Sequence, residues 1–151
     1  MELSDFSTTR RPGDVEVIPG VYRSARLMPT SDEYPLAIYC LIYSIDPHLV
    51  VTANTATHFY WVGAYGPDPF TVYTDAELKT DFPVRILRQA PPTWVFKDGL
   101  RLASPDQAVA DLERLHHDQD HVFDIVDEFK ELGYDTESGL SRGWRDDYAR
   151  S

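Results

Sequence analysis

Cysteine is almost absent from this chain, because Cys40 is the only one in 151 residues. A single thiol cannot form an intramolecular disulfide, and a cysteine-based zinc site needs several. Cys40 lies in the apolar run A-I-Y-C-L-I-Y, which favours a buried structural thiol over a nucleophile. Long hydrophobic runs are also missing, since the longest, residues 35–45, is too short to span a bilayer core of about 30 Å.

Residues 1–14 are polar and do not contain the apolar segment of a signal peptide. We therefore expect a soluble, cytoplasmic protein that makes no membrane contact. Hydrophobic residues still make up 42% of the chain, which excludes a disordered protein and is enough for a buried core. The length suits one ordinary domain with at most a small appendage.

Positive charge is scarce: 14 Lys and Arg stand against 25 Asp and Glu, a formal net charge of −11. Because phosphate attracts Lys and Arg, this balance argues against general nucleic-acid binding. The acids concentrate in residues 104–137, where only Arg114 and Lys130 oppose them. This segment is a candidate surface for a basic protein partner, with a solvated acidic helix face as the alternative. The expected contact residues are Asp106, Asp111, Glu113, Asp124, Asp127 and Glu128.

Basic residues near the N-terminus form a weaker candidate site for nucleic acid. Nearby acids offset their charge, so we expect DNA binding to be weak or absent. The residues are Arg10, Arg11, Arg23 and Arg26. Three further arginines, Arg85, Arg88 and Arg101, are expected on one polar sheet face, as ion-pair partners of the acidic helices or as an anion site.

Motifs of common enzyme classes are missing, including G-x-S-x-G, the P-loop, the dinucleotide fingerprint and H-E-x-x-H. The stretch H-H-D-Q-D-H, residues 116–121, has side chains that could ligate a divalent ion, but its position between two helices is typical of a polar linker. His58 lies in T-A-T-H-F-Y-W, which favours a packed histidine over a catalytic base. We predict no catalytic residue, no metal and no cofactor.

Short apolar runs predict strands at residues 49–51, 70–73, 84–87 and 94–96. Asp98-Gly99 predicts a tight turn into a strand at 100–102, and Pro19-Gly20 predicts a hairpin between flanking valines. The polar residues 1–13 are expected to form a loose arm.

Helix signals occur in four places. Ser31 is the expected N-cap of an apolar helix that runs to about Ile45 and is buried on all sides. A short helix at 54–62 is expected to stop at Gly63, S-P-D-Q at 104–107 is a capping box with a proline start, and 122–132 is amphipathic. We predict an α+β fold: a mixed, mostly antiparallel sheet packed against several helices, with a short N-terminal β-hairpin arm.

The order of these predicted strands and helices resembles the order in a known protein family. The strand end G-V-Y-R (residues 20–23) comes first, followed by the apolar helix, an alanine- and aromatic-bearing helix ending in glycine (53–63) and the strand F-P-V-R-I-L-R. The last segment in this order is D-G-L-R-L-A-S-P-D-Q-A-V-A-D-L (residues 98–112). Over roughly residues 15–132 this resembles the AbiEi-type antitoxins of bacterial type IV toxin-antitoxin systems and their transcriptional-regulator relatives.

The resemblance implies a non-enzymatic protein that neutralises a nucleotidyltransferase-like toxin. In that family the G-V-Y-R strand closes a DNA-binding winged helix. Few residues precede it here, so we expect that winged helix to be largely missing, either naturally or because the chain was cut from a longer protein. The expected units are an arm with a remnant wing hairpin (1–27), an AbiEi-like α/β domain (28–133) and a polar tail (134–151).

The partner that the resemblance implies is a toxin-like, basic protein, and a homodimer is also possible. Two other functions stay open. One is a small metal-dependent enzyme acting on nucleic acid or a nucleotide, built on His116, His117, Asp118, Asp120 and His121. The other is a phage- or defence-associated adaptor that reuses the fold.

Overall fold

A computed structural model describes residues 1–116 and 119–134 of the chain. A single 3-10 turn, Leu3–Asp5, precedes the first strand. The strands in these stretches are β1 (Phe6–Ser7), β2 (Asp14–Ile18), β3 (Val21–Ser24), β4 (Val50–Val51), β5 (Phe70–Tyr73), β6 (Val84–Leu87), β7 (Trp94–Lys97) and β8 (Leu100–Ala103). The helices are α1 (Glu33–Ile45), α2 (Ala53–Tyr60), α3 (Pro105–His116) and α4 (Gln119–Glu131).

The first three strands form a small antiparallel sheet in the order β1-β3-β2. The predicted hairpin is confirmed, since β2 pairs with β3 and the turn between them contains Gly20 at a positive φ of 85°. The expected loose arm is wrong for its first part, because β1 pairs with β3 and Phe6 is buried. One apolar side chain among polar neighbours thus attaches the N-terminal segment to the sheet, which packs against α1.

Five strands form a larger sheet in the order β6-β5-β4-β8-β7. The pairs β4–β5 and β7–β8 are antiparallel, whereas β5–β6 and β4–β8 are parallel. Asp98 and Gly99 close the β7–β8 hairpin with positive φ angles of 55° and 81°, which a tight hairpin turn requires. The two sheets and the helices around them confirm the predicted α+β class and the N-terminal hairpin.

Helix α1 begins at Glu33, with Asp32 rather than Ser31 at its N-cap. The expected burial on all sides is wrong. A face that includes Leu36, Tyr39 and Ile42 packs into the core, while the other face is open to solvent. The exposed side chains are Tyr34, Tyr43 and Ile45.

Helices α3 and α4 are amphipathic, as their sequence spacing predicted, and pack against each other. The Ser104 carbonyl accepts the first helical hydrogen bond of α3, from Ala108 N at 2.9 Å, as an N-cap residue should. The Ser104 hydroxyl is buried without a hydrogen-bond partner, so the cap is made by the backbone alone. Helix α4 ends at Glu131, and Gly133 follows two residues later with a φ of 91°.

One continuous hydrophobic core joins the small sheet to the large one. Phe6, Ile18 and Val21 belong to the same cluster as Val50 and Leu102 of the central strands. The hairpin segment therefore packs on the rest of the chain instead of standing apart from it. No helix within residues 1–116 or 119–134 is long and apolar enough to cross a membrane.

Candidate partner-binding surface

Asp111, one of the six acids expected on a partner surface, lies inside the protein with only 2% of its area exposed. Its Oδ2 accepts hydrogen bonds from Thr52 Oγ1 at 2.6 Å and from the Tyr73 hydroxyl at 2.7 Å. Its Oδ1 accepts from Gln107 Nε2 at 3.0 Å and Arg114 Nη2 at 3.4 Å. The carboxylate is thus satisfied on both oxygens, as a buried charge must be.

This network joins α3 to the sheet. Thr52 follows β4, Tyr73 ends β5, and Asp111 lies in the middle of α3. Burial raises the pKa of Tyr73, and the neighbouring Asp111 charge raises it further. The phenol therefore stays protonated and donates to the carboxylate. The expectation that Asp111 contacts a partner is corrected: its role is to hold α3 on β4 and β5.

Asp106 is also corrected as a surface residue, because only 4% of its area is exposed. Glu113 is half-buried. The reason is helical geometry, since α3 lies between the sheet, α2 and α4 and has a narrow solvent face. A count of acids along the sequence could not separate the inward positions of α3 from the outward ones.

Helix α4 is different, because its acids lie at positions that share one solvent face. Asp124, Asp127 and Glu128 are exposed at i, i+3 and i+4, and Glu131 extends the row at i+7. We call these four residues the α4 stripe. The opposite face of α4 is buried, with Val122, Ile125, Val126 and Phe129 in the core. Phe123, which is 50% exposed, flanks the stripe.

Side chains of α4 pack closely against the backbone of the loop after α2. Gly63 has a φ of 78°, and a Cβ there would lie 2.9 Å from the Ile125 side chain. Glu128 accepts the Gly63 N–H, and His121 Nε2 accepts the Ala64 N–H at 3.3 Å. The His121 ring also packs edge-on against Tyr65. Glu128 thus has a structural contact in addition to its place in the α4 stripe.

The histidine cluster lies largely outside the described residues. His117 and Asp118 are not described, nor are the side chains of His116 and Asp120. Of this cluster, the His121 side chain is described, and it contacts the loop after α2 through Ala64 and Tyr65. Within the described parts of the chain, no three His, Cys, Asp or Glu side chains converge as metal ligands would.

The four N-terminal arginines are not equivalent. Arg23 forms an ion pair with Glu33 of α1 at 2.9 Å, and its guanidinium also donates to the Ser24 carbonyl. Arg10 lies over the ring of Tyr22, with 5.8 Å between the guanidinium carbon and the ring centre. Arg11 and Arg26 are exposed.

The three sheet arginines do not form one cluster. Arg101 lies on β8, where its guanidinium carbon is 3.7 Å from the centre of the Trp94 ring on β7. Arg85 lies on β6, which β5 and β4 separate from β8, and Arg88 donates to the Thr74 carbonyl at 3.4 Å. Among the described residues none of the three forms an ion pair with α3 or α4, so that expectation is corrected.

A cavity of about 470 Å³ beside the end of α2 was missed by sequence reasoning. Leu36, Phe59 and Leu100 form its apolar part, and Asp32 and Asp98 lie at its border. Trp61 also lines it and is 72% exposed. Trp61, not Gly63, ends α2, in the left-handed conformation with a φ of 65°. No local signal predicts that conformation for tryptophan, because glycine is the usual residue there.

Two residues near this region match their expected roles as packed side chains. His58 is half-buried on α2, and its Nε2 lies 2.6 Å from Asp32 Oδ1, which ties α2 to the start of α1. Cys40 is half-buried in α1, and burial raises the pKa of its thiol. A raised pKa keeps the sulfur protonated and makes it a poor nucleophile.

Comparison with known proteins adds no relative: no protein-family model, no curated protein and no solved structure matches this chain.

Proposed function

We propose that this chain is a non-enzymatic interaction protein that binds a basic protein partner through the α4 stripe. The observation that carries the proposal is the row Asp124, Asp127, Glu128 and Glu131, exposed along one helix whose other face is buried. Such a row creates a continuous negative potential, which steers and orients a positively charged partner.

A basic partner fits this surface better than a second copy of the chain. Two α4 stripes brought together would place like charges opposite each other, and that is unfavourable. The exposed Phe123 ring beside the α4 stripe supplies apolar contact area, as aromatic residues commonly do in protein interfaces.

For the identity of the partner, the resemblance to AbiEi-type antitoxins supports a nucleotidyltransferase-like toxin. Neutralisation would then consist of occupying a basic surface of that toxin. Since such a toxin acts on intracellular substrates, we place this function in the cytoplasm. DNA autoregulation is not part of the proposal, because Arg23 is engaged by Glu33 and the chain carries a net charge of −11.

The proposal predicts that a nucleotidyltransferase-like protein is encoded beside this chain, and the test is co-expression of the two proteins with growth as the readout. The wild-type chain is expected to restore growth, and Asp124→Asn with Asp127→Asn is expected to restore it less well. The matched control is Glu77→Gln with Asp81→Asn, which removes two exposed acids from the loop after β5. Titration calorimetry on the purified pair should show weaker binding for the α4 variant, and a difference that shrinks with added salt.

Two outcomes would contradict the proposal in different ways. Unchanged toxicity with the wild-type chain would reject the antitoxin role. Equal rescue by the α4 variant and the control would reject the α4 stripe as the binding surface.

A further inference from the structure

The cavity beside α2 combines an apolar interior with an exposed aromatic wall. Leu36, Phe59 and Leu100 lie at its base, and all three are buried. Trp61 stands at its edge with 72% of its area exposed, which is unusual for the largest side chain. Its backbone is left-handed, with a φ of 65°, so α2 does not continue beyond this residue.

Acidic and basic groups both lie around this cavity, and Asp98 is an exposed acid among them. Asp98 borders it with 76% of its side chain exposed, and Asp32 and Glu2 also line it. Three groups stand against these acids: Met1 with its N-terminal ammonium lines the cavity, Lys97 Nζ lies 3.0 Å from Asp98 Oδ2, and His58 pairs with Asp32. The exposed Asp98 carboxylate therefore offers a charged acceptor at the border of the cavity, beside the Lys97 ammonium.

The end of α2 adds a partial negative charge to the same place. Helix carbonyls near a C-terminus attract cations. The protein already shows this attraction, because Lys97 Nζ donates to the Phe59 carbonyl at 2.9 Å. The segment 61–63 connects this region directly to the loop on which α4 packs. Gly63, whose N–H donates to Glu128 of the α4 stripe, is thus two residues along the chain from Trp61 at the cavity.

We propose that this cavity holds an arginine side chain of the protein partner. The aliphatic stem would cover Leu36, Phe59 and Leu100, and the guanidinium would lie between the Trp61 ring and the Asp98 carboxylate. Arginine suits the site better than lysine because its planar head stacks on an indole and makes paired hydrogen bonds to a carboxylate. This inference rests on the proposed function, which supplies the basic partner. It adds that one arginine side chain of that partner binds in the cavity.

The anchor can be tested without the partner. The probe is the peptide acetyl-Gly-Arg-Gly-amide, titrated into the whole chain while the tryptophan indole N–H signals are followed by NMR. The Trp61 signal is assigned by its loss in Trp61→Phe. We expect this signal to shift and saturate with the arginine peptide, and not to shift with the same peptide carrying citrulline, the neutral analogue of arginine.

Asp98→Asn removes the charge while keeping the hairpin turn, since asparagine tolerates positive φ. It is expected to weaken peptide binding about two- to fivefold, the range of an exposed charge contact. Asp81→Asn, an exposed acid that does not line the cavity, is the matched control and should bind as the wild type does. The proposed arginine site would be rejected if the Trp61 signal did not shift selectively with the arginine peptide. It would also be rejected if Asp98→Asn bound the peptide as well as the wild type does.

The two proposals fail separately. If the peptide binds at Trp61 but α4 substitutions leave the partner's affinity unchanged, the cavity is an arginine site and the α4 stripe is not the interface. If the α4 substitutions weaken the partner but the peptide does not shift Trp61, the interface stands and the anchor is wrong.

Discussion

At the scale of single residues, the buried Asp111 carboxylate is the polar group on which the packing of α3 most depends. Two hydroxyls, from Thr52 and Tyr73, are buried with it and have it as their acceptor. Removing the acceptor would leave these donors without their charged partner, and a buried polar group that loses its partner is costly.

Asp111→Ala is therefore expected to lower the free energy of unfolding by about 2–4 kcal/mol, measured by urea denaturation. Asp124→Ala on the α4 stripe is the control, and its effect should stay within about 0.5 kcal/mol. Similar losses for the two variants would show that Asp111 is not a structural acceptor.

A second residue-scale prediction concerns Asp46, which follows α1. Partial burial raises the pKa of Asp46, but hydrogen bonds from Thr74 Oγ1 at 2.6 Å and from the His48 and Asp75 N–H groups outweigh it, so the net shift is downward. A pKa lowered by folding stabilises the protein above the ordinary Asp pKa of about 3.9, and this stabilisation is lost as the pH falls through the folded value. The difference in unfolding free energy between wild type and Asp46→Asn should shrink between pH 7 and pH 3. A constant difference would contradict the shift.

The sequence alone did not show which acidic side chains are structural and which are exposed. Asp111 and Asp124 look alike as acids in helical segments, yet one is buried and the other is exposed. The hydroxyls that make burial possible come from Thr52 and Tyr73, which are distant along the chain. Only the fold brings them together, so no local pattern could have revealed the network.

At the scale of elements, the docking of α4 depends on how closely it approaches the loop after α2. Gly63 permits that approach for two reasons: its φ is positive, and a Cβ would lie too close to Ile125. The whole α4 stripe is oriented by this contact, together with the hydrogen bond from Gly63 N–H to Glu128.

Gly63→Ala is expected to destabilise the protein by about 1–3 kcal/mol, through backbone strain and displacement of Ile125. Hydrogen exchange in α4 should become faster, which would locate the effect in the docking of this helix. The control is Gly66→Ala, because a Cβ at Gly66 meets nothing within 4 Å. Unchanged stability and exchange in Gly63→Ala would reject the close-packing account.

The sequence predicted which helices and strands exist, but it did not predict well where they begin and end. Alternation and apolar runs predicted β5 and β6 at their observed positions, because these signals are local. The end of α2 at Trp61 and the strand β1 around Phe6 escaped prediction. For β1, a tertiary contact, the pairing of Phe6 with Arg23 of β3, decides the conformation.

At the scale of the whole molecule, charge limits what the chain can bind. The net charge of −11 repels a phosphate backbone, and Arg23 is engaged by Glu33. Arg10, Arg11 and Arg26 remain exposed, and three arginines are too small a basic surface for tight binding. The hairpin that resembles a wing is accordingly expected to act in packing, through Ile18 and Val21 in the core.

Fluorescence anisotropy with promoter DNA should thus show weak, sequence-independent or undetectable binding at an ionic strength of about 0.15 M. Arg10→Ala, Arg11→Ala and Arg26→Ala together should abolish whatever remains at low salt, while Lys79→Ala serves as a control at an exposed cation outside the hairpin. Tight, sequence-specific binding by the wild type would show that the hairpin still reads DNA.

The position of β4 in the larger sheet has a consequence for biosynthesis. This two-residue strand is central, and its parallel neighbour β8 is made only after β5, β6 and β7. Until β8 leaves the ribosome, β4 therefore lacks one of its two neighbours and the larger sheet cannot be completed. The sheet is accordingly finished only late in synthesis, when this non-local pairing can form.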